Sequence, residues 1–427
     1  MTQYKAVALP YIEKFKCLGS NCSDSCCVGW DVRVDRTTYQ KLQHVMQESP
    51  EERRRMMASV EVLKTDTQDD VFAHFRLDSG GRCSFLDDDE LCHIHKNYGQ
   101  ECLSSTCAFY PRVFSYVRDT MEVVGTLSCP EMARLCLQDT HGFDLVEFDI
   151  NALPRLHDWP VSRVLLSDQD NAYEQLMPEI RSIFLDVFRN EQFPLLFRMF
   201  LQACFAHELD KLYASPGDGP ISESITRIVE QTFNTDAVES LYRDFQSQEA
   251  EYSLAMTLVY TTLKARYDQG GDSRFQQILA GLFRKHGFQA AEEEDVLVRG
   301  MIERFHERSS ALPQAFHDRL QHYLTRYCMN HLYREWYTGF PTIISYQHML
   351  IVRVLSLEFI TIMDSRLDPV LDDEIRSVET LDHIIVDIIY SYAKAIDQNL
   401  TYLRAMYEAM DREGLLAFQY SLALTRV

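Results

Sequence analysis

From about Leu153 onward, apolar residues recur every three or four positions. Leu176, Ile180, Ile183, Phe184, Val187 and Phe188 form one such stripe, and Leu381, Ile384, Ile385, Ile388, Ile389, Tyr392 and Ile396 form another. That spacing predicts long amphipathic helices. Ser215-Pro216-Gly217-Asp218-Gly219-Pro220 and Asp268-Gln269-Gly270-Gly271-Asp272 predict loops between them. The first 150 residues are patterned differently. Trp30, Val32 and Val34 alternate with Asp31 and Arg33, as on a half-buried strand. Phe75 to Leu77, the turn Asp78-Ser79-Gly80-Gly81 and Cys83 to Leu86 predict a hairpin, and Asp87-Asp88-Asp89 a second turn before Leu91-Cys92. Met121 to Leu127 predicts a further strand, and Thr37 to Met57 a helix capped by Asp35. No fixed-period repeat or low-complexity tract interrupts the chain. The expected fold is α+β and predominantly α-helical: a small cysteine-rich module with short strands over residues 1–150, then a larger all-α domain over 151–427.

Charge narrows the partners. The 427 residues carry 42 Lys+Arg against 64 Asp+Glu, a formal net charge of −22. A surface with that surplus of carboxylates repels phosphate, which argues against nucleic acid as the main partner. Apolar residues at 46% and charged residues at 25% suit a folded chain. No apolar run approaches the roughly 18–20 residues of a bilayer span, so no transmembrane segment is expected. Met1 to Lys14 lacks a signal-peptide core, because Pro10 and Glu13 cut short the run from Ala6 to Leu9. The expected location is therefore cytoplasmic. No GxGxxG loop signals a Rossmann-type cofactor site, and Gly217-Asp218-Gly219, followed by Pro220, suits a surface turn.

The cysteines carry the candidate chemistry. Ten of the twelve lie in the first 136 residues, as Cys17-x4-Cys22-x3-Cys26-Cys27, then Cys83, Cys92, Cys102-x4-Cys107, Cys129 and Cys136. Crowding of this kind means a disulfide framework or a metal site. Disulfides need an oxidising compartment, and the adjacent Cys26 and Cys27 would have to reach two separate partners. Thiolate-bound metal is the better reading. The CxxC pairs of zinc knuckles are absent, as are the ferredoxin CxxCxxC run and the radical-SAM CxxxCxxC triad. Small residues around the thiols (Gly19, Asn21, Ser23, Asp24, Ser25) allow backbone N–H groups to turn toward anionic sulfur. An iron–sulfur cluster is the first choice and zinc the second. Cys204 and Cys328 lie in helical patterns and read as small buried apolar residues.

The cysteine region resembles the flagellin lysine-N-methylase family (FliB). The matching pieces are Phe15-x-Cys17-x4-Cys22-x-Asp24-x-Cys26-Cys27-x2-Trp30, Asp35-x2-Thr38-Tyr39, Cys83-x-Phe85-Leu86 and Leu91-Cys92-x-Ile94. Gly99-x-Glu101-x-Leu103-Ser104-x-Thr106-Cys107-x2-Tyr110-Pro111-Arg112 and Leu127-Ser128-Cys129-Pro130-Glu131 follow in order. The resemblance covers residues 10–137; beyond them only length and helical texture agree. It implies methyl transfer from S-adenosylmethionine to lysine ε-amines of flagellin, in the cytosol before export, by an S-adenosylmethionine-dependent protein-lysine N-methyltransferase. It also implies a [4Fe–4S] cluster with Cys17, Cys22, Cys26, Cys27, Cys83, Cys92, Cys102 and Cys107 as candidate ligands and Cys129 in reserve. A cubane takes at most four, so either two sites exist or several of these thiols are structural.

Lysine methylation needs a neutral amine held in line with the methyl group. Tyr110 and Glu101 are near enough to the motif to help, although a core tyrosine and a surface glutamate are the plainer expectations. His93 and His95 read as alternating surface residues, and Trp30 as a shield over the cluster. Arg112 is placed to face the anionic cluster or a carboxylate behind the Tyr110-Pro111 turn. Glu292-Glu293-Glu294-Asp295 reads as a solvated charge run, and Phe340 to Ile344 as core. Two alternatives stay open: a non-enzymatic zinc- or iron-binding interaction module, and an iron–sulfur redox protein. The cofactor pocket, the catalytic residues and the oligomeric state have no signature in the sequence.

Overall fold

The computed structural model describes residues 5–29, 32–63, 72–153, 161–166, 172–217, 219–288, 293–371 and 378–427. The chain divides into two compact units, Met1–Leu166 and Ser167–Val427. The expectations for Trp30, Asp31, Asp218 and Glu292 lie outside the described residues.

Among its described residues the first unit holds eight strands: β1 (Lys5–Ala8), β2 (Arg33–Val34), β3 (Val60–Val62), β4 (Ala73–Phe75), β5 (Arg112–Val117), β6 (Thr120–Gly125), β7 (Val146–Glu147) and β8 (Val161–Leu165). They form a five-stranded sheet in the order β7-β1-β6-β5-β8 and a three-stranded sheet in the order β2-β4-β3. β5 and β6 pair antiparallel from Arg112 opposite Gly125 to Val117 opposite Thr120, whereas β1 joins β6 in parallel. In β2 the alternation holds, with Val34 buried and Arg33 exposed. Val32 and Val34 enter a core with Leu42, Met46, Phe75, Phe85, Ile94 and Leu103, to which Cys83 and Cys102 also belong.

Two details depart from the sequence patterning. The stretch from Thr37 to Met57 is two helices, Arg36–Met46 and Pro50–Ser59. Asp35 caps the first by accepting the Thr38 N–H at 2.7 Å. Pro50 cannot continue the first helix but suits a new first turn, where Ser49 accepts from Glu51 and Glu52. Cys83 to Leu86 forms no strand: a Leu77–Cys83 bridge is followed at once by a turn from Cys83 C=O to Leu86 N–H.

The second unit is helical. The helix Ile343–Met363 lies at its centre, buried at 20 of its 21 positions. Helices Leu195–Ala214, Tyr252–Asp268, Glu294–Ala311, Gln314–Arg334 and Val378–Tyr392 pack around it. It is long and apolar enough to cross a bilayer by length and composition alone, yet 94% of its most apolar window is covered by the protein itself. Its N-terminus is capped twice. Thr342 and Ser345 form a capping box, and the Asp210 carboxylate accepts the N–H groups of Ile343 and Ile344 at 2.8 and 2.9 Å. Ile343 and Ile344 are core and Cys328 is fully buried, as their patterns imply, whereas Cys204 and Phe340 are half-buried and Pro341 is exposed. Glu293 precedes the helix Glu294–Ala311, so the charge run stands at a helix start, with Asp295 exposed.

A buried polar chain crosses this unit. The Arg353 guanidinium, 1% exposed, pairs with the Glu335 carboxylate. His331 sits between Glu335, 3.4 Å from Nδ1, and Asp397, 3.1 Å from Nε2. The Tyr327 hydroxyl donates to both Asp397 oxygens at 3.1–3.2 Å, and Arg334 donates to the Asp397 carbonyl. Asp397 ends a π-helical turn, Ala393–Asp397, that continues the helix Val378–Tyr392. Widening that turn brings a carboxylate inward from a stripe that otherwise reads as apolar.

Two stability outcomes follow. An added methyl at Gly125 would lie 2.5 Å from Met132 Cγ and 2.8 Å from Tyr11 Cε2. Gly125→Ala should therefore cost about 1–3 kcal/mol in urea unfolding, and a loss below about 0.5 kcal/mol would contradict this packing. Arg353→Met strands the Glu335 carboxylate and should cost about 3–5 kcal/mol by the same measurement, where a neutral result would show that the ion pair is dispensable.

Candidate metal centre

Backbone bonds between loops gather the thiols. Cys83 N–H donates to the Cys27 carbonyl and Gly29 N–H to the Gly81 carbonyl, both at 2.8 Å, clamping the loop after Cys22 to the hairpin turn. Gly29 and Gly81 both have positive φ, and a Cβ on Gly81 would already touch the Gly29 backbone at 3.6 Å. The second turn forms as its aspartates predict: Glu90 N–H donates to Asp87 C=O, Asp87 N–H to Leu91 C=O, and Leu86 bridges Cys92. Cys92 then precedes the helix His93–Tyr98. Cys107 lies in the short helix Ser105–Phe109, with its N–H accepted by the Ser104 hydroxyl at 3.2 Å. Cys129 precedes the helix Pro130–Gln138.

These placements give the thiols a common electrostatic neighbourhood with Cys26 at its middle. Cys26 acts on Cys22, Cys27, Cys83, Cys92, Cys107 and Cys129. Cys27, Cys83, Cys92 and Cys107 form one group around it, since Cys92 and Cys107 act on Cys27, and Cys92 and Cys83 on Cys107. Cys22 is acted on by Cys17 as well as by Cys26, and itself acts on Cys129. Cys17 is exposed. Cys102 is a core residue acting on Tyr98. No disulfide joins any of the twelve thiols. The eight carried-over candidates thus divide into five around Cys26, a Cys17–Cys22 pair beside Cys129, and Cys102 in the apolar core.

Burial pushes the thiols toward the protonated form, and their neighbours push the same way. Burial holds Cys83 at about 11 and Cys107 and Cys129 at about 12, while Cys22 and Cys92 are also raised. Cys27 is raised furthest, first by its hydrogen bond to Cys26 and then by burial. Backbone N–H groups oppose this at four sulfurs: Asp24 on Cys22, Phe85 on Cys83, Ile94 and His95 on Cys92, and Glu131 and Met132 on Cys129. Such donors stabilise thiolate once a cation is present. Among the described residues, no three Cys, His, Asp or Glu side chains close on a single metal ion. The donor set nonetheless fits a thiophilic centre by its chemistry: soft sulfurs, shared proton affinity and N–H groups aimed at sulfur.

The polar residues beside the thiols are placed as follows. His93 is not a surface residue: its Nε2 lies 2.9 Å from Glu52 and its Nδ1 3.2 Å from Asp87. Tyr98 also donates to Glu52, at 3.0 Å, and Arg55 pairs with Asp87. Burial raises both carboxyls, but these bonds together outweigh it and leave Glu52 and Asp87 below their ordinary values. This clamp buttresses the turn before Cys92, while His95 is exposed. Sequence spacing could not reveal it, because Glu52 comes from a different helix. Tyr110 is largely buried, with its hydroxyl 3.2 Å from Ser128 Oγ and its acidity suppressed by burial and by Cys129. Arg112 stacks over Phe15 at 5.1 Å and faces Cys129. Glu101 is exposed.

A thiol-bearing loop module preceding an all-helical unit defines a chain whose first part gathers sulfur donors. The family description "FliB lysine N-methylase C-terminal domain" matches residues 181–424. The chain therefore belongs to the FliB lysine N-methylase family. It is 31% identical over 138 residues to "Flagellar biosynthetic protein FliU" of Salmonella muenchen, covering 32% of this chain and 79% of that protein. It is 30% identical over 138 residues to proteins named "Lysine-N-methylase" from Salmonella typhimurium and Salmonella choleraesuis. These two matches cover 32% of this chain but only 33% of the relatives' own length. No solved structure matches the chain.

Thiols that must lose protons to bind metal make binding pH-dependent. Affinity of the metal-free chain for ferrous iron or zinc should rise from pH 6 to pH 8, with proton release measurable by calorimetry in two buffers. In that metal-free chain iodoacetamide should label exposed Cys17 at least about tenfold faster than Cys107. Equal rates by mass spectrometry would contradict the difference in exposure between Cys17 and Cys107.

Proposed function

We propose that this chain transfers methyl groups from S-adenosylmethionine to lysine ε-amines, that flagellin is its protein substrate, and that its thiols hold an iron–sulfur cluster. The observation that carries the reading is the FliB match across 181–424, more than half of the chain. The relatives named lysine-N-methylase and flagellar biosynthetic protein support the acceptor and the flagellar setting. S-adenosylmethionine, when bound, supplies a sulfonium methyl that is electrophilic at carbon. The chain must strip a proton from the acceptor ammonium and hold the nitrogen about 3–3.5 Å from that carbon. Four of Cys26, Cys27, Cys83, Cys92 and Cys107 would hold the cluster, which would tie together loops that the chain otherwise joins by backbone bonds. The N–H groups at Cys83 and Cys92 support thiolate there.

The test is anaerobic purification, iron and sulfide analysis, and incubation with methyl-labelled S-adenosylmethionine and flagellin. Label should appear on flagellin lysines in the wild type and fall about 10–100-fold in Cys26→Ala, together with iron content. Full activity in an iron-free preparation would remove the cluster from the reading, and folded, iron-loaded protein that never labels lysine would remove the methylation.

A further inference from the structure

The helical unit contains a partly open cavity of about 140 Å³, walled by Tyr252, Met256, Phe305, His306, Glu358 and Phe359 among others. Its chemistry is lopsided. Phe305 stacks on Phe359 at 5.9 Å, and Tyr252 meets His306 edge-on at 4.1 Å, so aromatic rings line much of it. Glu358 is the single carboxylate side chain in that wall. Among the described residues, no hydrogen-bond or ion-pair partner reaches it, unlike Glu335, Asp382 and Asp387 in the same unit. Glu358 is the one position of the central helix that is only half-buried, and its side chain lines this cavity. Burial alone pushes it up to about 7.

A carboxylate in an aromatic wall suits a cation that brings its own apolar stem. The size narrows the ligand further. Pockets for drug-sized molecules begin near ~300 Å³, so this cavity admits a single side chain and not a nucleoside cofactor. We propose that this cavity receives the ammonium end of an acceptor lysine, with its methylene stem against Tyr252, Phe305 and Phe359 and its charge against the Glu358 carboxylate. The identification of the cation as the acceptor lysine rests on the lysine-methylation reading; the affinity for an alkylammonium ion does not.

The groups facing Glu358 set the pH sense. They are His306 and Tyr252 on neighbouring helices and, at the end of the chain, Val427, with Arg426 acting on Tyr252. Arg426 is held by the Gln246 and Gln248 carbonyls. Protonating Glu358 removes the attraction, so cation binding weakens as pH falls. The probe is n-butylammonium against n-butanol, titrated into the full chain and read by calorimetry and ligand-observed NMR. Butylammonium should bind more tightly than butanol, gain about tenfold from pH 6 to pH 8, and lose at least about tenfold in Glu358→Gln. In a methyl-transfer assay Glu358→Gln should raise KM for a lysine peptide more than it lowers kcat. If that variant fails to fold, contacts from the butylammonium methylenes to aromatic protons in the wild type, together with the pH profile, decide. Equal binding of butylammonium and butanol, or an unchanged Glu358→Gln variant, overturns the assignment. Glu358-dependent butylammonium binding without any labelled lysine leaves the cation cavity standing and removes the methylation reading instead.

Discussion

The first unit depends on a contest over protons at sulfur. Its thiols are gathered where burial and mutual repulsion oppose ionisation, while backbone N–H groups, the Ser104 hydroxyl at Cys107 and the Arg55 charge at Cys83 favour it. Metal-free, such a group is a cluster of neutral thiols; a cation reverses the balance by supplying the charge that burial withholds. The loop bonds from Cys83 to Cys27 and from Gly29 to Gly81 hold the arrangement together by joining residues 26–29 to the hairpin turn. Much of the local architecture serves that convergence. The Glu52–His93–Asp87 clamp fixes the turn before Cys92, and Ser104 fixes the turn around Cys107.

The second unit solves a different problem. Its central helix is buried nearly all round; Ser356 and Thr361 bond to its own backbone, and other polar side chains on it are answered from other segments. Arg353 is answered by Glu335 and His331, which connect to Asp397 at the π-turn. His348 is answered by the Leu415 carbonyl and the Ser421 hydroxyl. Glu358 stands apart from this pattern, since it faces a cavity and not a partner. A half-buried carboxylate that lines a cavity leaves a place where a bound cation can supply the partner.

Several features were legible from residue order alone. Strand and helix periods place β2, β6 and the helix Met177–Arg189, and the paired Asp and Gly residues mark both turns beside the thiols. Local chemistry also showed the Asp35 cap, but the break at Ser49-Pro50 was read through as helix. Alternation places His93 at the surface because it describes only one element, while its two carboxylate partners come from another helix and a turn. The stripe through Ile396 likewise concealed Asp397, which a helical period places outside and the π-turn carries inward.

Residue order by itself determined the two-part character of the chain, the helical texture of its larger part and the crowding of thiols in its smaller one, because periodicity and spacing are local properties. Tertiary structure alone decided which sulfurs share a neighbourhood, that Cys102 belongs to the apolar core, and that a lone carboxylate faces an aromatic cavity. These depend on distances between segments far apart in the chain, and no local pattern encodes such distances.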